Sequence, residues 1–240
     1  MLTKNQEKLI RSLALRKNRK KSGLFVAEGL KLVTDLVSAG LTVENIFQTE
    51  GSLEAFAGVA HTHAISSQEM KGISFLETPS PVLALFKQPE RLGDFHVDAG
   101  FILLLDRVQD PGNMGTLLRT ALWYGVERIG LVKGSVDVFN PKVVQASMGA
   151  LAHVQCVEKS AEEWVEWSAS KGRRLLVADM DGTPAAEMNW TAKDILVLGN
   201  EGQGCDVAFK AVGDKVTLPG NAAKMESLNV AISGATLLYA

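Results

Sequence analysis

Three segments of the chain combine polar side chains with glycines in patterns that suit a ligand site. The first reads DRVQDPGNMGTLLRTALWYGV from residue 106 and carries Asn113 and Arg119. These two residues are six positions apart, close to two helical turns, so both are predicted to face one cleft. An arginine among leucines needs an anionic or carbonyl partner, whereas Asn113 could instead be the N-cap of the helix.

The second segment, LGNEGQG from residue 198, has three glycines within six residues. Such a loop permits positive φ angles and tight backbone packing around a small ligand. Its GxxGxG spacing differs from the dinucleotide-binding fingerprint, and no P-loop lysine follows the glycines. Glu201 is the candidate reactive group of this loop, although a plain Gly-rich turn with a solvated glutamate would have the same sequence.

The third segment, LPGNAAKMESLNVAISGATLLYA from residue 218, brings Ser227 and Asn229 to the start of an apolar helix. Small residues along that helix suit close packing against another element. Ser227 could simply be the N-cap of an interior helix. Two polar side chains beside a Pro-Gly turn equally suit a ligand pocket, so both interpretations stay open.

The elements that must position these segments alternate between strands and helices. The second half of the chain begins with the apolar run 101–105, and helical stretches separate five further predicted strands, near 128–132, 153–157, 174–178, 195–198 and 215–218. This alternation predicts an α/β fold with a mostly parallel sheet covered by helices on both faces. Ligands of such sheets bind at the carboxyl ends of the strands, where the loops of the three segments lie.

A polar stretch at 88–100 separates two apolar strands and is the predicted linker. Shorter strands and helices precede it and indicate a smaller α/β unit. We therefore predict two domains, residues 1–96 and 97–240, which a chain of 240 residues can accommodate.

The composition excludes several classes of protein. With 25 Lys and Arg, 27 Asp and Glu and 46% hydrophobic residues, the chain is neither disordered nor a wholly basic nucleic-acid coat. The apolar run 101–105 is far shorter than the roughly 20 residues of a membrane span, and charged residues stand where a signal peptide would be apolar. Cys156 and Cys205 lack a CxxC or paired-histidine pattern, which argues against a disulfide framework or a zinc site. A cytoplasmic location is expected.

A basic run, RKNRKK at 16–21, contrasts with the nearly neutral chain. Residues 1–96 carry 12 basic and 10 acidic side chains, whereas residues 97–240 carry 13 and 17, so the run lies in the more positive part. The candidate phosphate contacts are its basic members, Arg16, Lys17, Arg19, Lys20 and Lys21. The alternative is a solvated helix end.

In this order, the three segments resemble the three motifs of the SpoU (TrmH-like) RNA 2′-O-ribose methyltransferases. The resemblance is carried by Asn113 and Arg119, by GNEGQG, and by Leu218-Pro219 with SLNV at 227–230. It is strong over residues 101–240. FVAEG at 25–29, with the following helix, is similar to the family's small N-terminal RNA-binding domain.

The resemblance implies a trefoil knot in the C-terminal domain, S-adenosylmethionine bound within it in a bent form, and a homodimer. It implies RNA as the partner, either rRNA or tRNA with rRNA favoured, and no metal and no membrane. The residues implied to bind the cofactor are Leu198, Gly199, Asn200, Gly202, Leu218, Leu228 and Asn229. Gly220 stands where family members often have Met, which is expected to loosen the loop over the adenine.

The implied reaction is methyl transfer to a ribose 2′-hydroxyl. Arg119 would be the essential residue, either as an unusual base or as a cation that stabilises the developing alkoxide. Asn113 would orient the ribose or Arg119, Glu201 would position Arg119 or the loops of the knot, and Ser227 and Asn229 would shape the pocket. The main alternative is a non-catalytic RNA-binding protein that has kept the fold. A base methyltransferase or a small-molecule nucleotide enzyme fits the motifs less well.

Overall fold

The computed structural model describes residues 1–52, 55–89, 93–95, 100–221, 224–225 and 227–240. The chain forms two compact units, and each unit consists of two stretches of sequence. The first contains Met1–Glu90 and Asp137–Ala152, and the second contains Arg91–Val136 and His153–Ala240. Residues 137–152, which lie within the predicted domain 97–240, make their contacts in the first unit.

The first unit is a four-stranded sheet with helices. Numbered along the chain, its strands are β1 (Leu24–Glu28), β2 (Val43–Gln48), β3 (Thr62–Ala64) and β4 (Val82–Lys87). Its helices are α1 (Lys4–Ser12), α2 (Arg16–Ser22), α3 (Leu30–Ser38), α4 (Ser67–Ile73) and α6 (Pro141–Ser147). The strand order is β1-β4-β2-β3, with β4 antiparallel to both neighbours and β2 parallel to β3.

Residues 137–152 join the first unit through apolar packing and a buried ion pair. The ring of Phe139 lies 5.1 Å from that of Phe25 on β1. Asp137 accepts a hydrogen bond from Arg19 Nε at 2.9 Å, and both side chains are almost completely buried. These partners lie more than a hundred residues apart, so no local periodicity could have indicated the contact.

The second unit is built on six parallel strands, as predicted. Its strands are β5 (Ile102–Leu105), β6 (Arg128–Val132), β7 (Gln155–Lys159), β8 (Leu175–Pro184), β9 (Ile195–Leu198) and β10 (Asp214–Thr217). Its helices are α5 (Pro111–Trp123), α7 (Ala161–Ser170), α8 (Val207–Val212) and α9 (Val230–Tyr239). The strand order is β10-β8-β9-β5-β6-β7, and every pair is parallel.

Successive residues of β9 point to opposite faces of this sheet. Val197 belongs to an apolar cluster with Trp164 of α7 and Phe209 of α8. On the other face Leu198 meets α9, which comes so close that a Cβ on Gly234 would lie 2.7 Å from Leu198 Cδ1. Helices therefore cover both faces, which confirms the predicted layers.

Several element boundaries differ from the prediction. The basic run forms its own helix, α2, instead of the end of the first helix. Strand β8 continues to Pro184 because its last residues pair with β10. The sequence also predicts helices at 226–239 and 52–57. Helix α9 begins later, at Val230, and residues 226, 53 and 54 lie outside the described residues.

Candidate functional site

A cavity of about 290 Å³ lies at the carboxyl ends of β5 and β9. Three stretches of chain line it: the loop and first turn after β5, the loop after β9, and the start of α9. Its lining includes Asn113, Gly199, Asn200, Glu201, Gly202 and Val230. The structure thus brings the three segments together at the edge where parallel sheets bind ligands.

Asn113, Glu201 and Asn229 form one hydrogen-bonded cluster at this cavity. Glu201 Oε1 accepts from Asn113 Nδ2 at 2.9 Å and from Asn229 Nδ2 at 2.8 Å. Asn229 Nδ2 also donates to Asn113 Oδ1 at 3.0 Å. Each segment supplies one member of the cluster, and the carboxylate fixes the orientation of both amides.

Helices α5 and α9 both begin at this cluster. Asp110 is the N-cap of α5 and accepts from the backbone N–H of Asn113 at 2.8 Å. Asn229 is the N-cap of α9 and accepts from the backbone of its first turn. The alternatives that made Asn113 and Ser227 the caps are therefore wrong. Pro111 occupies the first helical position, where its missing N–H costs nothing, and this moves the start of α5 upstream of Asn113.

The carboxylate of Glu201 also contacts the amino end of α9 directly. Its Oε1 accepts from the backbone N–H of Val230, the first residue of that helix, at 3.3 Å. The unpaired N–H groups at a helix start carry partial positive charge, which favours a carboxylate there. One side chain thus joins the Gly-rich loop to the starts of two helices.

The loop after β9 is closed on itself. Asn200 and Gly204 exchange backbone hydrogen bonds at 3.2 and 2.8 Å, and Asn200 Oδ1 accepts from the N–H of Gly202 at 2.9 Å. Gly199 faces the far side of this turn so closely that a Cβ there would lie 2.3 Å from backbone atoms of Gly204 and Cys205. Glycine at 199 is needed for this close approach.

The sequence analysis missed Asp106, Arg107 and Asp206, which border the same site. Asp106 is fully buried, and its carboxylate accepts from Arg107 Nε at 2.8 Å and from Arg107 Nη2 at 3.1 Å. The signal that could have found them is an acid-arginine pair directly after a buried strand, at the end of the sheet where ligands bind.

Arg119 lies on the exposed face of α5, contrary to the expectation of a buried arginine. Six residues rotate roughly 600° around a helix, which leaves Arg119 about 120° away from Asn113 instead of beside it. Its neighbours Leu117 and Leu118 are buried in its place. The Arg119 side chain makes no hydrogen bond or ion pair with the residues that the structure describes.

An exposed apolar face adjoins Arg119. The outer stripe of α5 carries Thr116, Arg119 and Trp123, and Trp123 is 84% exposed. Tyr239 at the end of α9 is 79% exposed, and its ring lies 6.4 Å from that of Tyr124 at the end of α5. A cluster of large exposed aromatic side chains is typical of interaction surfaces.

The other residues predicted to form the site are not among those that line the cavity. Leu198 is buried in β9, and its carbonyl accepts from the backbone N–H of Asp106 at 2.8 Å. Leu218 is half-buried, whereas Ser227 and Leu228 are exposed. The structure therefore brings together Asn113, Glu201, Asn229 and the Gly-rich loop, and leaves these four residues outside the cavity wall.

The basic run lies on α2 in the first unit. Four of its five candidate residues are exposed, as a phosphate-contacting surface requires: Arg16, Lys17, Lys20 and Lys21. Arg19 is only 2% exposed and, besides Asp137, donates to two backbone carbonyls at 2.7 and 2.9 Å. The prediction that Arg19 contacts RNA is therefore corrected, because its guanidinium is committed to the interior of the unit.

The described residues contain no group of three or more His, Cys, Asp or Glu side chains arranged to hold a metal ion. Within the same ranges, no helix has the length and apolar character needed to cross a membrane. Burial raises the pKa of the Cys205 thiol to about 12, so this thiol stays protonated at neutral pH and is a poor nucleophile.

The parallel sheet, its cavity at the carboxyl edge and the separate basic unit define a two-domain α/β protein with a small-ligand site. Residues 100–239 match the SpoU rRNA Methylase family model, and residues 4–84 match the MRM3-like substrate binding domain. The chain therefore belongs to the SpoU rRNA methylase family, which confirms the resemblance of its motifs.

Relatives of known sequence and structure cover nearly the whole chain. The Bacillus subtilis (strain 168) protein named 23S rRNA (guanosine(2553)-2'-O)-methyltransferase RlmP is 32% identical over 98% of this chain and 96% of its own. A TrmH-family structure from Porphyromonas gingivalis is 39% identical, with a TM-score of 0.89 over 100% of this chain and 97% of that one. An AdoMet-bound rRNA methyltransferase from Sinorhizobium meliloti is 27% identical, with a TM-score of 0.88 over 100% and 94%. The predicted fold class is thus confirmed, and the trefoil knot stays a prediction.

Proposed function

We propose that the protein transfers the methyl group of S-adenosylmethionine to a ribose 2′-hydroxyl of rRNA. The observation that carries this proposal is the cluster of Asn113, Glu201 and Asn229, one residue from each family motif, hydrogen-bonded beside the cavity. The relative from Bacillus subtilis, named as an rRNA 2'-O-methyltransferase, supports the same reaction. A protein that only bound RNA would have no need of a polar cluster at the sheet's ligand edge.

The cavity suits S-adenosylmethionine. One wall consists of Gly199, Asn200 and Gly202, and it stays thin because Gly199 leaves no room for a side chain against the turn behind it. The volume of about 290 Å³ lies near the lower end of the range typical of small-molecule sites. S-adenosylmethionine supplies a methyl group already activated by a positive sulfur, so positioning provides much of the rate.

The chain's own residues must manage a proton and a developing charge. A ribose hydroxyl loses its proton as it is methylated, and negative charge grows on its oxygen. We propose that Arg119, exposed on α5, stabilises that charge as a cation and that a phosphate of the substrate takes the proton. Asn113 and Asn229 shape the pocket, with amides that the carboxylate of Glu201 holds in one orientation.

We also propose that a second copy of the chain covers the apolar face formed by Trp123, Tyr124, Ile232 and Tyr239. Helices α5 and α9 lie side by side: the polar cluster joins their starts, and the tyrosine contact joins their ends. A homodimer through this face would enclose Arg119 in the interface. Sedimentation velocity should give a dimer for the wild type and a monomer for Trp123→Glu, and a monomeric wild type would contradict the proposal.

The reaction is tested with methyl-labelled S-adenosylmethionine and rRNA from cells that lack the protein. We expect label at a ribose 2′-oxygen, and transfer at least about 100-fold slower for Arg119→Ala with unchanged cofactor binding. Lys133→Ala, which removes an exposed cation elsewhere in the second unit, is the control and should transfer normally. Unchanged transfer by Arg119→Ala would contradict its role, and no label with the wild type would favour the non-catalytic alternative.

We propose that the exposed basic residues of α2 contact rRNA phosphates. Replacing Lys17, Lys20 and Lys21 by Gln should weaken RNA binding and reduce its logarithmic salt slope by about 0.7–0.9 for each phosphate that is no longer neutralised. Lys31→Gln removes an exposed lysine of α3 in the same unit and is the matched control. An unaltered slope would mean that the run is only a solvated helix. A cytoplasmic location stays a prediction from the sequence.

A further inference from the structure

Asp106 and Arg107 form an ion pair. Neither residue is among those predicted from the sequence to form the site. Asp106 follows β5 directly and is 0% exposed. Its backbone N–H donates to the carbonyl of Leu198 at the end of β9, at 2.8 Å. Its two carboxylate oxygens accept from Nε and Nη2 of Arg107, and this bidentate arrangement fixes the plane of the guanidinium.

The two partners reach opposite ends of the Gly-rich loop at residues 199–206. At the start of the loop, Asn200 Nδ2 donates to the carbonyl of Arg107 at 3.0 Å. At its end, the backbone N–H of Asp206 donates to Asp106 Oδ2 at 2.6 Å, and the Asp206 carboxylate lies 3.5 Å from Arg107 Nη1. The two residues therefore contact both ends of the loop that carries Glu201: the Arg107 carbonyl at the start, and the ion-paired side chains at the end.

The backbone of Arg107 is unusual. Its φ is +55°, in the left-handed region that residues other than glycine rarely adopt. This conformation lets the carbonyl meet Asn200 while the side chain turns back to Asp106. Hydrogen bonding to Asp106 raises the pKa of the Arg107 guanidinium above its ordinary value, so the guanidinium stays protonated. Backbone conformations of this kind persist where the surroundings hold them, and they concentrate at functional sites.

We propose that Asp106 and Arg107 are positioning residues for methyl transfer: through Asn200 and Asp206 they set where the loop lies above the sheet, and hence where Glu201 lies. This role rests on the proposed function, since that function makes the loop the wall that holds the cofactor. Neither residue is catalytic, because each acts through the loop and not on the reacting atoms.

A matched pair lies at the other end of the sheet, where it contacts a loop remote from the cavity, at Asn189 and Thr191. Asp194, 1% exposed, precedes β9 and accepts from Arg174 Nε at 3.1 Å and Nη2 at 2.8 Å. Its carbonyl accepts from the N–H of Ile102 at the start of β5, at 3.1 Å. A pair of the same chemistry and burial thus lies at the other end of the strands, away from the cavity, and serves as the control.

Three variants test the proposal: Arg107→Ala, Arg107→Lys and Arg174→Ala. Binding of S-adenosylhomocysteine is measured by calorimetry without RNA, and the free energy of unfolding by urea. We expect Arg107→Ala to weaken this binding, and to raise the KM for S-adenosylmethionine, by about tenfold, the equivalent of about 1.4 kcal/mol. Arg107→Lys should recover part of the affinity, since it restores the charge but not the bidentate geometry.

Arg174→Ala should lower the free energy of unfolding about as much as Arg107→Ala does. It should bind S-adenosylhomocysteine as the wild type does. Unchanged binding by Arg107→Ala, or equal loss of binding by Arg174→Ala, would overturn the positioning role, because either result would make the pair a purely structural one. A wild type that binds S-adenosylhomocysteine but methylates no rRNA would contradict the proposed function instead, and the binding comparison would still decide the role of Arg107.

Discussion

A buried aspartate paired with a partly exposed arginine lies at each end of the parallel strands: Asp106 with Arg107 after β5, and Asp194 before β9 with Arg174 before β8. The two pairs differ in what they contact. At the amino edge, Asp194 accepts from Arg174 and from Thr191, only three residues before it. At the carboxyl edge, Asp106 accepts from its neighbour Arg107 and from Asp206, 100 residues further on. The pair at the amino ends of the strands contacts residues close to it in sequence, whereas the pair at the carboxyl ends contacts the loop beside the cavity.

The difference shows that the direction of the strands, and not the chemistry of the pair, decides its role. The carboxyl ends of parallel strands are followed by loops that leave the sheet, and a ligand can enter between them. The amino ends follow the segments that return from the helices to the sheet. Changes at the carboxyl edge should therefore alter the reaction, and changes at the amino edge should alter stability alone.

Among the variants that compare the two ends of the strands, the largest effect is expected at the carboxyl ends, for Asn229→Ala. This change removes the N-cap of α9 and two hydrogen bonds of the polar cluster, so we expect kcat to fall about 100-fold. Without the cap, the free energy of unfolding should be lower by about 1 kcal/mol.

The matched control is Ser160→Ala, which removes the N-cap of α7 at a similar cost in stability. It should leave methyl transfer unchanged. Equal losses of activity in the two variants would mean that Asn229 acts only as a cap, and the contrast between the two edges would fail there.

An intermediate effect is expected for Gly199→Ala. The new Cβ would lie 2.3 Å from the backbone of Gly204 and Cys205, so the loop must move away from β9. We expect cofactor binding to weaken about tenfold or more, and stability to fall by about 1–3 kcal/mol.

Gly130→Ala introduces a comparable clash within the sheet, with Leu104 Cδ1 at 2.6 Å and the ring of Trp164 at 2.9 Å. It should lower the melting temperature while cofactor binding, measured below that temperature, stays at the wild-type level. If both glycine variants bind the cofactor equally well, the fit of the loop against Gly199 does not matter to the site.

The smallest effect is expected at the amino edge, in the acid dependence of stability. Burial acts to raise the pKa of Asp194, but hydrogen bonds from Arg174 and Thr191 outweigh it and hold that pKa below the ordinary value. A carboxyl group whose pKa is lowered by folding stabilises the protein above its unfolded pKa of about 3.9, and this contribution is lost as the pH falls through the folded value.

Urea unfolding of the wild type at pH 5 and pH 3 should therefore show a loss on acidification, to which Asp194 contributes no more than about 1 kcal/mol. Asp194→Asn should be less stable at pH 5 and should lose less between the two pH values. Asp181→Asn, an exposed aspartate on β8, should behave as the wild type. An identical acid dependence in Asp194→Asn would refute the assignment.

Much of the fold follows from local sequence patterns. The apolar runs of β5 and β9 predict buried parallel strands, and the small residues of α9 predict its close approach to the sheet, which Gly234 provides. The family motifs identified Asn113, Glu201 and Asn229 before their contacts were known. The predicted parallel sheet also placed their three segments at the carboxyl ends of its strands.

Local patterns did not predict the orientation of a side chain where that orientation depends on contacts with residues distant in sequence. Arg119 sits among leucines in sequence, but the helical period turns it outward while Leu117 and Leu118 face the core. Arg19 sits in a run of cations, and the same period turns it inward to a carboxylate 118 residues away. In each case the sequence shows the chemistry of the side chain, but the side of the helix that it faces depends on tertiary packing.

The sequence by itself determined the family, the parallel sheet, the glycines of the loop and the members of the polar cluster, because periodicity, backbone freedom and motif order are local properties. Only the tertiary structure decided that residues 137–152 complete the first unit and that Asp106 and Arg107 bridge the loop at 199–206. Arg107 is next to Asp106 in sequence, but the role proposed for the pair depends on its contacts with Asn200 and Asp206. Contacts between residues so far apart arise when packing brings their strands together, and no window of sequence contains both partners.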